Sequence, residues 1–425
     1  MAYTNSYDLV CIGGGAAGML ASGTAASAGI RVLVAERNDK QGKKLLITGK
    51  GRCNITNNGT VGEALENIPN GARFLQSAMH GFPPDAVMAF FESLGVRLKT
   101  ERGGRVFPMS DRSADIVSAL QRYMDNAGVV VKRARIREVM IENGKVTGVR
   151  SDDGIIDCKA VILATGGLSY PGTGSDGDGH EIARSLGYTV TPLRGSLVPL
   201  TAEPELCSGM QGLTLKNVRL SVYESGAGEK KIFDEQGELL FTHFGLSGPL
   251  VLSASAHMRG FDNKKYHVQI DLKPALDEKK LDLRVLRDFK KYSNRDYSNS
   301  LGDLVNRSMI PAVIKRSGIP PATKVHSISR EQRTALVRLL KAFRIDIDGL
   351  RPVEEAIITS GGISLNEINP KTMESKLVRG LFFAGEIIDA DAYTGGYNLQ
   401  IAWSTAFAAA FAAIKAVDHG VAKYI

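Results

Sequence analysis

Two short stretches of this 425-residue chain hold residues whose types and spacing could do chemistry. In "YDLVCIGGGAAGMLASGTAASAGIRVLVAER", Gly13, Gly15 and Gly18 stand as G-x-G-x-x-G and Glu36 follows further on. That pattern suits a dinucleotide site. Gly13 permits a tight turn, Gly15 lets backbone approach a pyrophosphate, and Gly18 lets helix and strand pack closely. A helix N-terminus there offers unpaired N–H groups to an anion. Glu36 can accept from ribose hydroxyls, and its charge disfavours a 2′-phosphate. A purely structural glycine turn is the plainer alternative. The motif alone does not separate NAD from FAD. The second stretch, "GKKLLITGKGRCNITN", packs glycines, basic residues, a cysteine and two asparagines into Gly42–Asn57. A NAD dehydrogenase usually runs from its second strand straight into a crossover helix. A flexible, cationic, donor-rich loop suits a flavin, whose flat ring carries acceptors and must keep one face open to substrate. A solvated or phosphate-binding loop is the competing reading.

Near the other end, "GLFFAGE" puts Glu386 at the end of a buried strand. "TGGYNLQ" then opens a helix with Gly395, Gly396 and Asn398. A helix N-terminus stabilises negative charge, as an anionic reduced flavin would require; a well-capped strand–helix turn is the alternative. His243, in "FTHFGLSGP", is the best acid/base candidate among seven scattered histidines, none paired at metal-ligand spacing. Tyr393 could donate a proton or stack on a substrate ring. Cys53 could protonate carbon or simply pack against the ring. Cys11, Cys53, Cys158 and Cys207 are far apart with no CxxC, which argues against a dithiol motif, a zinc ribbon or an iron–sulfur cluster. "YPGTGSDGDGHEIARSLG" repeats the glycine pattern at Gly172, Gly174 and Gly177. No acid-ended strand follows it, so a second dinucleotide site is not expected.

The elements that must position these residues follow from pattern. The first stretch reads strand, glycine turn, helix, strand. Asn143-Gly144 and Asp153-Gly154 mark hairpin turns in a β-meander that runs into the buried strand "AVILATGG". Residues from Pro199 to about Asp271 alternate as short strands, and those from Pro274 to Phe343 are helical and charged. They look like an insertion in the cofactor domain. The expected division is 1–195, 196–273 (β-rich), 274–345 (helical) and 346–425. A net charge of +8, with no run of five like charges, permits an anionic partner without demanding one. No basic leader or membrane-spanning stretch is expected, the C-terminal "AWSTAFAAAFAAIKAV" being short and carrying a lysine. A cytoplasmic protein is the default.

Together "GGGAAG", "GKGRCNITN", "ATGGLSYPGTGSDGDG", "FTHFGLSGP" and "LFFAGEIIDADAYTGGYNLQ" resemble the BaiN/YhiN-type flavoproteins, also called aminoacetone-oxidase-like. The resemblance spans essentially the whole chain. It implies an α/β fold: a Rossmann-like FAD-binding domain with an inserted β-barrel-like domain and a helical subdomain. It implies FAD, with Gly13, Gly15, Ala16, Ala17, Gly18, Glu36 and Arg37 on the ADP-ribose. Lys44, Arg52, Cys53 and Asn54 would lie near the flavin, and Val139 on the adenine side. Thr165 and Gly166 would line the cofactor strand. Gly385, Glu386, Asp389, Gly396, Asn398 and Leu399 would cap the pyrophosphate, ribityl and pyrimidine ends.

Activities linked to that family are reduction of enone-type C=C bonds, reduction of a uracil in ribosomal RNA, and oxidation of small amines. The first two share one chemistry, hydride to the β-carbon of a conjugated carbonyl and a proton to the α-carbon. The expectation is therefore a reductase with NAD(P)H as transient donor, acting on a small molecule or an RNA base. The alternatives are an amine oxidase and a non-catalytic FAD protein. An RNA-gripping insertion has only the modest basic character of 307–341 and "DFKKYSNRDYSNS" behind it, which a solvated helix face also explains.

Overall fold

The computed structural model describes residues 6–226 and 228–417. The chain forms two compact units, Met1–Ser196 with Val353–Ile425, and Leu197–Pro352.

In the first unit, β1 (Ser6–Ile12), α1 (Ala16–Ser27) and β2 (Val32–Glu36) form the opening β-α-β turn. β2, "VLVAE", is buried throughout, as is the second half of β1. Continuous apolar runs of this kind suit parallel strands covered on both faces. β1 pairs in parallel with β2 and with the strand Gly154–Leu163, and Val130–Arg133 adds beyond β2. The start of Gly154–Leu163 pairs antiparallel with Lys145–Ser151, which pairs with Ile136–Glu142. Positive φ at Asn143, Gly144 and Gly154 makes both tight hairpins possible. The end of Gly154–Leu163 pairs in parallel with Leu381–Phe383, so both ends of the chain build one sheet.

The helix Tyr397–Val417 packs against α1. At 21 residues it is long and apolar enough to cross a membrane, contrary to the sequence expectation. Its Trp403, Ala406 and Ala410 are nevertheless fully buried, so it serves here as a core helix. Trp403 Nε1 donates to Ile55 O at 2.9 Å, Gln400 Oε1 accepts from Thr56 Oγ1 at 2.5 Å, and Gln400 Nε2 donates to Phe82 O at 2.8 Å. The first two of these bonds lock the end of the Gly42–Asn57 segment onto the helix.

In the second unit a closed six-stranded barrel runs in the order Leu200–Ala202, Gly245–Ser247, Lys230–Thr242, Thr214–Ser225, Lys265–Asp271, Phe343–Leu350. Closure leaves no sheet edge to pair with another chain. The closing strand, "FRIDIDGL", alternates: Phe343, Ile345 and Ile347 point inward. The helices Glu278–Lys291, Ile310–Ser317 and Arg330–Lys341 come between the last two strands and share one apolar core with the barrel.

Candidate active site

β1 ends at Ile12 and the chain turns at Gly13, where φ is +102°. A Cβ on Gly13 would lie 2.7 Å from Ala164 O, and one on Gly18 would lie 1.9 Å from Gly13 O. The turn and the first turn of α1 are thus pressed against neighbouring backbone. Gly15 differs: nothing lies within 4 Å of where its Cβ would stand. The surface over the α1 N-terminus is therefore open. The first helical bond there is Met19 N to Gly15 O, which leaves the amides of Ala16, Ala17 and Gly18 without helical acceptors.

Glu36 is buried at the end of β2. Its Oε2 accepts from Gly14 N at 2.7 Å, and its Oε1 accepts from Asn38 N and Asn38 Nδ2, both at 2.8 Å. A carboxylate offers about four acceptor positions, so one remains for a ribose hydroxyl. Arg37 pairs with Asp176 and Asp178, and Arg135 makes a two-pronged contact with Asp178 at 2.6 Å. The Arg135 hydrogen bonds hold the Asp178 carboxyl below its ordinary range. This bridge ties the Gly172–Gly177 loop to the end of β2.

Across from Glu36, the short helix α2 (Lys43–Ile47) supplies Lys44. Its Nζ lies 2.5 Å from Glu386 Oε2 and 2.7 Å from Ser169 Oγ. Glu386 Oε1 accepts from Thr359 N at 2.8 Å and Ser169 Oγ at 3.0 Å. Thr165 Oγ1 is buried in the same wall without a hydrogen-bond partner.

Glu36, Arg37, Lys44, Arg135, Thr165, Asp178 and Glu386 line one cavity at the carboxyl ends of the parallel strands, where ligands of open α/β sheets bind; Ser169 and Thr359 stand behind Glu386. Counted out through its mouth into the open solvent there, it spans about 1330 Å³.

Of the residues singled out from sequence, Gly13, Gly15, Ala16, Ala17, Glu36, Arg37, Lys44, Thr165, Gly166, Gly385, Glu386, Asn398 and Leu399 line the cavity. Others are placed elsewhere. Gly18 is a packing residue behind the wall. Arg52 lies over the Phe107 ring at 4.1 Å and pairs with Glu101 and Asp111, so a short hairpin holds its charge. Cys53 is fully buried, and burial pushes its thiol up to about 12. Asn54 is outside the wall, although its buried Oδ1 lacks a partner. Val139 is sheet core; Ile136, three residues earlier, faces the cavity instead. Asp389 accepts from Asn70 Nδ2 at 2.7 Å. Gly396 is required by close approach, since a Cβ would lie 2.3 Å from Thr56 O. Tyr393 is half-buried beside the cap that Asn398 makes on Ala392. His243 is exposed on the turn between two barrel strands of the second unit. Asn38, Arg135, Ser169 and Thr359 were missed. Only the aspartates of "GSDGDG" carried a signal, as partners awaiting arginines.

Residues 7–412 match the family described as HI0933-like protein Rossmann domain. The chain belongs to this family. Among its HI0933-like relatives, a ribosomal RNA dihydrouridine synthase of Escherichia coli is 32% identical over 95% of this chain and 97% of that protein. A 3-dehydro-bile acid delta(4,6)-reductase of Clostridium scindens is 29% identical over 95% and 98%. A 3-ketosteroid delta1-dehydrogenase structure from Sterolibacterium denitrificans is similar in fold, with TM-score 0.53 and 13% identity over 97% of this chain and all of that one. The flavoprotein family and the Rossmann-type fold with a barrel, expected from the motifs, are thus the ones found. The protein is an FAD-dependent oxidoreductase by family.

The residues present fit FAD. The open cradle over Gly15, the free amides of α1, the spare acceptor on Glu36 and the unpartnered Thr165 hydroxyl all await a polar ligand. Glu36→Ala is expected to weaken FAD binding by about 2 kcal/mol, as for loss of a charge-assisted hydrogen bond. Titrating apoprotein with FAD and following flavin fluorescence checks this; unchanged affinity would remove Glu36 from the site.

Proposed function

We propose that this HI0933-like protein reduces a C=C bond conjugated to a carbonyl, in an enone-type small molecule or a uracil of ribosomal RNA, with NAD(P)H as electron donor. The observation that carries this reading is a pair of near-full-length relatives, a dihydrouridine synthase and a bile acid reductase. Their names describe one chemistry on two substrates. When bound in the cavity, reduced FAD supplies a hydride from N5.

The chain's own residues do the rest. The α1 amides and Lys44 hold negative charge at the cofactor. A proton must reach the substrate α-carbon. His243, through a ring nitrogen, and Tyr393, through Oη, are the donors proposed. Cys53 is the weakest of the three, because its buried Sγ holds its proton up to about pH 12. The electrostatics of the walls disfavour the amine oxidase. Glu386 is held by Lys44, and Asp176 and Asp178 by Arg37 and Arg135. Glu36 is held by Gly14 and Asn38. Among these carboxylates Glu36 alone has no cationic partner, and its unused acceptor position is the one assigned to a ribose hydroxyl.

The deciding experiment reduces the yellow protein anaerobically with NADH or NADPH, then mixes it with an enone, a uridine-containing RNA, or air. A conjugated acceptor is expected to reoxidise the flavin faster than oxygen does. Rapid reoxidation by oxygen alone, with rapid flavin reduction by aminoacetone, would overturn the proposal in favour of an oxidase.

A further inference from the structure

The net positive charge of the chain is not spread evenly. Residues 273–345 hold 17 Lys and Arg against 7 Asp and Glu, a net of +10, while the whole chain is +8. The remainder is therefore slightly acidic, and the excess sits on the helices of the second unit. Much of it converges on one surface. The helix Glu278–Lys291 ends in Lys290 and Lys291, and Arg295 follows one turn on. The segment carrying Lys324 and His326 is fastened beside them: Val325 N donates to Arg295 O and His326 N to Ser293 O, both at 3.1 Å. All five basic side chains are exposed. Lys290 and Arg295 have no acidic partner among the described residues.

An aromatic ring lies at the centre. The Tyr292 ring has Lys291 Nζ at 4.8 Å and Arg295 Cζ at 4.5 Å from its centroid. Asp303 holds Lys291 Nζ at 2.8 Å and Tyr292 Oη at 2.7 Å, fixing the arrangement. Asp303 also lines a small polar hollow with Lys273 and Asn306.

We propose that this surface of Lys290, Lys291, Tyr292, Arg295, Lys324 and His326 docks the phosphate backbone of an RNA. This deepens the reductase reading and rests on it, choosing an RNA uracil over a free small molecule as substrate. Clustered Lys and Arg neutralise phosphates and release counterions, and a Tyr–Arg stack offers a flat face to an unpaired base. A membrane is the poorer occupant. The helix turns Leu281, Val285 and Phe289 into the core and leaves Leu283 as its exposed apolar residue, too little to anchor in lipid.

The test uses the oxidised holoenzyme, so binding is read without turnover. A fluorescein-labelled, uridine-rich RNA hairpin is titrated over a range of KCl concentrations. Lys290→Glu combined with Arg295→Glu is expected to weaken binding about tenfold or more and to flatten the salt slope by roughly one to two units. Lys145→Glu with Lys371→Glu, the same charge change on the first unit, is expected to bind nearly as the parent does. Reduction of a free enone by the first variant should match the parent, and its flavin content and Tm should be unchanged. The proposal is overturned if the Lys290/Arg295 variant binds RNA like the parent, or if the Lys145/Lys371 control loses as much. It is also overturned if the parent prefers phosphatidylserine vesicles to RNA. A failed acceptor assay would instead remove the reductase reading and leave the binding result standing.

Discussion

A Gly18→Ala variant should purify colourless and destabilised by about 3 kcal/mol, the upper end of ordinary overpacking costs. Its new methyl would sit 1.9 Å from Gly13 O. Neither partner can yield cheaply, because Gly13 is itself pressed on Ala164 and α1 is wedged between the sheet and the last helix. Gly15→Ala separates packing from binding. No atom opposes its methyl, so Tm should hold while the methyl occupies the space a pyrophosphate needs. Flavin absorbance per chain and thermal unfolding measure both. Stoichiometric FAD in purified Gly18→Ala would show that the α1 contact does not shape the cradle.

Stability should fall steeply as pH drops from about 6.5 to 4, with His180 a principal cause. This histidine is fully buried in the helix Asp178–Ser185, and both ring nitrogens lack a hydrogen-bond partner. Burial lowers its pKa to about 4, with the nearby Ile387 carbonyl only partly opposing. The unfolded chain takes up the proton first as pH falls. The contribution of the neutral ring is therefore complete above about 6.5 and is lost on the way down to 4. The shift corresponds to about 3 kcal/mol. Urea unfolding at pH 7 and at pH 4.5 should show a smaller pH difference for His180→Met than for the parent. Equal differences in the two proteins would assign the acid sensitivity to other groups.

Local motifs were legible in the sequence where their function is itself local. Gly13, Gly15 and Glu36 belong to one β-α-β turn, and its geometry follows from three glycines and an acid at set spacing. The pairing of Lys44 with Glu386 was not legible, because it joins the two ends of the chain and nothing local to either residue names the other. Arg52 shows a second limit of local reading. Its loop suggested a flavin, but the strands Leu98–Glu101 and Arg105–Pro108 are too short to show a pattern, so the hairpin that brings Glu101 to it was not foreseen. Gly396 was read as a ligand contact, and a neighbouring backbone oxygen gives it a packing reason as well. The barrel's closing strand was hidden for a related reason: the intervening helices draw the eye to an apparent boundary at 345, inside Phe343–Leu350.

The order in which the two units are completed has a consequence for synthesis. Every strand of the barrel, and the helices that share its core, have been synthesised once the ribosome has passed Leu350. The cofactor unit begins first yet is completed after the barrel, because Leu381–Phe383 and Tyr397–Val417 follow it in the chain. Glu386, Asn398 and Leu399 arrive with those elements. A nascent chain that has reached Leu350 holds the whole sequence of the barrel but only part of the nucleotide site, its α1 face still without the last helix. Chains cut short before Tyr397 are expected not to hold the flavin, because they lack Asn398, Leu399 and the helix that packs on α1.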